Sequence, residues 1–139
     1  MGTTKQRRAI LAILSSSSGH MTVEQVLEQA QRVFPNISRG TVYRNLNLMA
    51  DTGEIRRLHI ADQPIRFDIN TLPHQHVVCV NCGSIVDIAD IERDKIQSLT
   101  DPCAEIVECA LIIYVVCEMC TAKEKNKYCA QPAAAFTTL

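Results

Sequence analysis

The sequence predicts an α+β fold in two consecutive parts, residues 1–70 and residues 73–139. The first part shows three helical patterns and then two short strand patterns, whereas the second shows strand patterns punctuated by paired cysteines. Residues 1–70 carry nine Lys and Arg against six Asp and Glu, and residues 71–139 carry five against nine. A basic part joined to an acidic part suggests a nucleic-acid-binding domain followed by a regulatory or assembly domain.

Three short helices are predicted for the basic part. Apolar residues at helical spacing predict the first helix over Gln6–Leu14. A capping-box pattern starts the second helix at Thr22, and Pro35 ends it. The third helix is predicted over Arg39–Thr52, because a serine precedes it as N-cap and Gly53 follows it.

A β-hairpin is predicted after the third helix, with strands at Glu54–Ile60 and Ile65–Ile69. Three helices and a hairpin are the order of a winged helix-turn-helix, in which the third helix enters the major groove of DNA. The alternative interpretation is that Arg39 and Arg44 of the third helix merely face solvent. The hairpin that follows the helix, and the basic charge of this part of the chain, favour DNA binding instead. The outward face of the third helix offers partners for phosphates and base edges: Arg39, Thr41, Tyr43, Arg44 and Asn45.

Two histidines and two cysteines fall within the stretch HQHVVCVNCG of the acidic part. If His74–Val80 is a strand, successive side chains point to opposite faces. His74 and His76 then share one face, and Cys79 points to the other. The stretch therefore predicts parts of two different metal sites.

Paired cysteines predict a structural zinc site. Cys79-x-x-Cys82 brings two sulfur atoms together in a turn, and Cys117-x-x-Cys120 repeats the arrangement. Four thiolates form the closed tetrahedral shell of structural Zn(II). Two redox dithiols, or four buried cysteines without metal, are the alternatives. The other cysteines are interpreted as core or surface thiols: Cys103, Cys109 and Cys129.

A second site is predicted around His74 and His76, which need further ligands. Asp68 and Asp87 fall on predicted strands, and His20 precedes the second helix. Imidazoles with carboxylates suit Fe(II), Mn(II) or Zn(II), and the oxygen content favours iron and manganese. An ordinary loop histidine and solvated carboxylates are the alternative for His20, Asp68 and Asp87.

No signal peptide or membrane span is expected, because the charged start runs straight into an amphipathic pattern. The longest apolar run, Cys109–Cys117, is too short to cross a bilayer and is interpreted as a buried strand. The protein is expected in the cytoplasm, where cysteines serve as ligands or thiols rather than as disulfides.

The order and spacing of these motifs resemble the ferric uptake regulator (Fur) superfamily across nearly the whole chain. The resemblance implies a dimeric, metal-dependent transcriptional repressor that binds palindromic operator DNA through a winged helix. It also implies a zinc-clamped α/β dimerisation domain, and neither a membrane nor a small organic substrate as partner. The matching stretches are His20–Thr22, Thr41–Leu46, Arg66–Asp68, His74–Cys79, Cys82–Asp87 and Cys117–Cys120.

Within the superfamily the chain is most similar to the peroxide-sensing PerR branch. The regulatory Fe(II) or Mn(II) site of that branch falls, residue by residue, on His20, Asp68, His74, His76 and Asp87. Asp87 is informative, because iron- and zinc-responsive relatives often have Glu at that place. The resemblance implies that peroxide oxidises His20 or His74 when iron is bound and thereby releases DNA, whereas Mn(II) fills the site without that chemistry.

Other functions stay open from the residues alone. A repressor that responds only to the level of iron, manganese or zinc would use the same ligands. Two histidines and a carboxylate are also the ligand set of non-haem iron oxygenases, and the three unpaired cysteines suit a thiol redox regulator. A five-ligand site leaves few open positions for a substrate, so an enzyme is not expected. Metal dependence of DNA binding separates a repressor from an oxygenase.

Overall fold

The structure is a computed structural model that describes residues 2–17 and 19–122. The chain divides into two compact units, one of residues Met1–Leu72 and one that begins at Pro73. Helices dominate the first unit and a sheet dominates the second, which confirms the predicted α+β fold class. None of the described helices combines the length and hydropathy that a transmembrane segment requires.

The first unit contains three helices and a small antiparallel sheet with the strand order β1-β3-β2. The hairpin of β2 and β3 follows the third helix, as the winged-helix pattern predicts. The strand β1 was not predicted, because three residues are too few to show a periodic pattern. The elements are α1 (Gly2–Ser16), β1 (His20–Thr22), α2 (Val23–Val33), α3 (Arg39–Asp51), β2 (Arg56–Leu58) and β3 (Arg66–Asp68).

Helices α2 and α3 begin where the sequence predicts N-caps. The Thr22 hydroxyl accepts from the backbone N–H of Gln25 at 3.3 Å, and the backbone N–H of Thr22 donates to the Gln25 side chain at 2.9 Å. The Ser38 hydroxyl accepts from the backbone N–H of Thr41 at 3.1 Å. Helix α1 begins before the predicted Gln6, since the polar residues ahead of its apolar stripe are also helical. Apolar side chains of all three helices surround the fully buried Phe67.

The second unit is built on a three-stranded sheet with the order β5-β4-β6. The central strand β4 is buried along its whole length; it pairs antiparallel with β5 and parallel with β6. The elements are β4 (His74–Cys79), β5 (Ile85–Ala89), α4 (Arg93–Gln97), β6 (Ile112–Val115) and α5 (Glu118–Thr121).

The apolar run Cys109–Cys117 differs from the prediction of a buried strand. Only Ile112–Val115 is extended, and Ile113 and Tyr114 are 38% and 45% exposed. The cause is position in the sheet, because β6 lies at the edge of the described sheet and pairs there with β4 alone. Few hydrophobic side chains are buried in the described part of this unit: Val77, Val78, Cys79, Val86 and Cys117.

Candidate metal centres and nucleic-acid interface

Four cysteines of the second unit converge on one point. Cys79 ends β4, Cys82 lies in the following turn, Cys117 is the N-cap of α5 and Cys120 lies in that helix. Their four sulfur atoms all lie within 4.8 Å of one another. The Sγ atoms of Cys79 and Cys120 are 3.8 Å apart. Zn–S bonds of about 2.3 Å in a tetrahedron place sulfur atoms about 3.8 Å apart, so these residues fit structural zinc.

The surroundings of Cys79 stabilise its thiolate. Burial raises the pKa of Cys79, but N–H groups of Cys82, Cys117 and Asn81 donate to its sulfur and together lower that pKa to about 6. The Cys117 N–H lies 3.4 Å from this sulfur. Burial, together with the neighbouring sulfurs of Cys79 and Cys82, raises the pKa of Cys120 to about 11. A bound cation would offset this repulsion between thiolates.

A zinc ligand must be a thiolate, so zinc takes all four sulfurs of the cluster only when they are reduced. Cys79, Cys82, Cys103, Cys109 and Cys120 are free cysteines, in agreement with the expectation for these residues. The prediction for Cys129 lies outside the described residues.

The second unit also brings together His74, His76 and Asp87. Strand pairing sets His76 of β4 opposite Asp87 of β5. The Nε2 atoms of His74 and His76 are 3.1 Å apart, and they lie 3.7 and 3.3 Å from the Asp87 Oδ1. Ligand atoms bound to one ion at about 2.1 Å are separated by about 3.0 to 3.4 Å, so this arrangement is close to that of three ligands.

The first unit brings together His20 and Asp68. Pairing of β1 with β3 sets the two residues opposite each other, and both are buried. The His20 Nε2 lies 3.5 Å from the Asp68 Oδ2. The backbone N–H of Asn70 donates to the Asp68 Oδ1 at 2.9 Å, which fixes the carboxylate. One imidazole and one fixed carboxylate in this unit are ligands of the kind that Fe(II) and Mn(II) accept.

The predicted DNA-reading helix α3 presents a basic surface at its N-terminal half. Tyr43 and Arg44 are exposed, and Arg44 donates to the half-buried Thr41 side chain. Arg39 is exposed and forms an ion pair with Glu24 at the start of α2. Tyr43, Arg44 and Arg39 therefore lie on the solvent-exposed side of α3.

Asn45 does not belong to that exposed surface. Its side chain is buried, and its Nδ2 donates to the backbone oxygen of Thr41 at 2.9 Å. The expectation of exposure was wrong because Asn45 lies one turn after Val42 and one turn before Met49, on the apolar stripe of the helix. This helical spacing in the sequence could have predicted the burial of Asn45.

Comparisons with known proteins agree with this arrangement of elements. Residues 1–114 match the ferric uptake regulator family. The peroxide-responsive repressor PerR of Staphylococcus aureus (strain USA300) is 37% identical over 122 residues, which cover 86% of this chain and 82% of that protein. PerR of Staphylococcus epidermidis is 36% identical over 119 residues, which cover 84% of this chain and 79% of that protein.

A solved structure shares the fold as well. The ferric uptake regulator Fur of Helicobacter pylori, described as having three functional metal-binding sites, superposes with a TM-score of 0.74 at 27% identity. That alignment covers 86% of this chain and 84% of the other. Family match, sequence identity and fold agree, and the chain therefore belongs to the ferric uptake regulator family.

Proposed function

We propose that the chain is a dimeric, metal-dependent transcriptional repressor that releases operator DNA when hydrogen peroxide oxidises a histidine of its regulatory site. The observation that carries the proposal is the pairing of histidine with aspartate in each unit. His20 faces Asp68 in the first, and His74 and His76 face Asp87 in the second. The PerR relatives support the choice of peroxide as the signal.

A single ion that takes ligands from both units would couple metal binding to DNA binding. In the first unit, His20 and Asp68 lie on β1 and β3, and β3 is also a strand of the wing hairpin. An ion that also binds His76 and Asp87 would restrict the orientation of this sheet relative to the second unit. Metal then favours one conformation, and in a dimer it fixes the spacing of two recognition helices.

The homodimer is proposed on the properties of strand β6. Within the described residues β6 pairs with β4. Ile113, Tyr114 and Val116 are 38%, 45% and 42% exposed. A second copy of the chain that packs on these side chains would add buried apolar area to a unit with a small core.

The peroxide response is proposed to consume one histidine. When bound, Fe(II) supplies the one-electron chemistry that activates peroxide. The net reaction adds one oxygen atom to an imidazole carbon and releases one water molecule from the peroxide. His20 and His74 are the proposed targets, since both are buried ligand candidates beside a carboxylate. The modified ring no longer offers the same nitrogen ligand, so the ion and the DNA are released.

DNA affinity is expected to fall when Arg39 or Arg44 is replaced by alanine. Each phosphate contact releases counterions, so each loss should reduce the slope of log K against log salt by about one. Fluorescence anisotropy over a range of salt concentrations measures this slope. Arg32→Ala is the matched control, because Arg32 carries the same charge on the exposed side of α2. If the affinity and the salt slope of Arg44→Ala equal those of the parent, α3 does not contact DNA as proposed.

Selection of DNA by the metal-loaded protein tests the proposed function. Duplexes with high affinity are first selected from a random pool by protein loaded with Mn(II), and the best duplex is then titrated with and without metal. We expect tight, sequence-selective binding that disappears when a chelator removes Mn(II). Failure to select any duplex, or binding that is equal without metal, would contradict a metal-dependent repressor.

A further inference from the structure

Arg57 connects the wing hairpin to the C-terminal half of the recognition helix. It lies on β2 opposite Phe67, on the face of the sheet that carries the apolar core. Its guanidinium donates to the Asn47 side-chain oxygen at 3.0 and 2.8 Å and to the Asn47 backbone oxygen at 3.1 Å. It also donates to the Asp51 carboxylate at 2.8 Å. The Arg57 side chain therefore binds two residues of α3, Asn47 and Asp51.

The geometry suits a rigid connection better than a contact with DNA. The planar guanidinium binds two acceptors at fixed angles, which a flexible ammonium cannot reproduce. The side chain of Arg57 is 29% exposed, and its Nε and one terminal nitrogen already donate hydrogen bonds within the protein. Asn47 is itself held, since its Nδ2 donates to the backbone oxygen of Tyr43 at 3.0 Å. These bonds connect the wing to the backbone of Tyr43, whose exposed side chain is among the predicted DNA contacts.

We propose that Arg57 is a positioning residue for DNA recognition, which fixes the wing against α3 so that both elements fit one operator. The inference rests on the proposed function as a DNA-binding repressor and adds a residue through which it selects sequence. A loosened wing still carries its positive charge, so binding to any DNA would persist. Base contacts require correct placement of the helix, so discrimination between sequences would be lost.

The test compares the affinity of Mn(II)-loaded full-length variants for the selected duplex and for a scrambled duplex. Arg57→Ala is expected to lower the ratio of these two affinities by about tenfold, the discrimination given by one good base contact. Arg57→Lys keeps the charge but loses the planar, two-acceptor geometry of the guanidinium, so it should bind the scrambled duplex as the parent does and still show the lowered ratio. Arg32→Ala, which removes the same charge from α2, should leave the ratio unchanged.

Asp51→Ala gives a second, independent result. Electrostatics alone predicts that removal of this carboxylate tightens binding to every duplex, whereas loss of the connection lowers the affinity ratio. If circular dichroism shows that Arg57→Ala is unfolded, the affinity ratio of Asp51→Ala tests the proposal in its place. Equal losses on both duplexes, with a salt slope smaller by about one, would make Arg57 a phosphate contact and overturn the proposal. An unchanged ratio in both variants would also overturn it. A parent protein that prefers no sequence would instead contradict the proposed function.

Discussion

Replacement of Cys79 or Cys120 by serine is expected to remove zinc and unfold the second unit. Both sulfurs lie in the four-cysteine cluster that joins the end of β4 to helix α5. Structural zinc supplies about 10 to 16 kcal/mol of apparent binding free energy at pH 7, which is comparable to the whole stability of a small domain. Few hydrophobic side chains are buried in the described part of this unit, so its core cannot compensate.

The measurement combines metal analysis, thermal unfolding and sedimentation. Reduced protein is loaded with Zn(II) in the presence of a reductant, because zinc binds cysteines as thiolates. We expect one more zinc per protomer in the parent than in the variants, and an unfolded, monomeric second unit in the variants. Cys103→Ser is the matched control, since Cys103 is exposed and outside the cluster. A zinc-free variant that remains a folded, DNA-binding dimer would show that the cluster has no structural role.

Iron-loaded protein is expected to lose DNA binding at low peroxide, whereas manganese-loaded protein keeps it. The loss should coincide with one added oxygen atom on the peptide that carries His20 or His74, because an oxidant made at the ion meets the ligands first. Anisotropy with the selected duplex follows binding, and peptide mass spectrometry locates the oxygen. The iron and manganese forms share one sequence, so each form is the control for the other.

Asp87→Glu tests whether the peroxide response depends on the carboxylate of the regulatory site. A longer carboxylate can bind through both oxygens and occupy the position that peroxide needs, so metal-dependent DNA binding should persist with a weaker response. Asp87 is 40% exposed, which leaves room for the additional methylene group. Equal survival of the iron and manganese forms would leave a repressor that senses only metal level. Oxidation of Cys103, Cys109 or Cys129 with unmodified histidines would support a thiol switch instead.

Local patterns predicted much of the fold. The N-caps at Thr22 and Ser38 depend on residues three positions apart, and both are found in the structure. Strand β4 was assumed for His74–Val80 in order to separate the two metal sites, and the structure has a strand at His74–Cys79. Strand β1 could not be predicted in this way, because its conformation is stabilised by pairing with β3, far along the chain. The partial exposure of β6 likewise depends on its place at the sheet edge rather than on its apolar sequence.

The candidate sites also differ in how well the sequence predicts them. The two cysteines of each pair are close in sequence, so their spacing alone predicts a site. The neighbourhood of His76 and Asp87 follows from two adjacent strands joined by a turn. The neighbourhood of His20 and Asp68 depends on long-range strand pairing. The residues alone therefore indicated both only weakly as ligands, and the family resemblance strengthened their selection. The exposure of Asn45 was mispredicted although the helical stripe contained the information.

Titration with Mn(II) of two single variants and their combination tests most directly whether one ion uses both units. Asp68→Ala removes a ligand from the first unit, and His76→Ala removes one from the second. Calorimetry and DNA anisotropy are measured for the parent, each variant and the double variant. If one ion binds both residues, each single change abolishes the same binding event and metal-dependent DNA binding, and the double variant is no worse. Independent losses that add in the double variant, or metal-dependent DNA binding that survives either change, would contradict a shared regulatory ion.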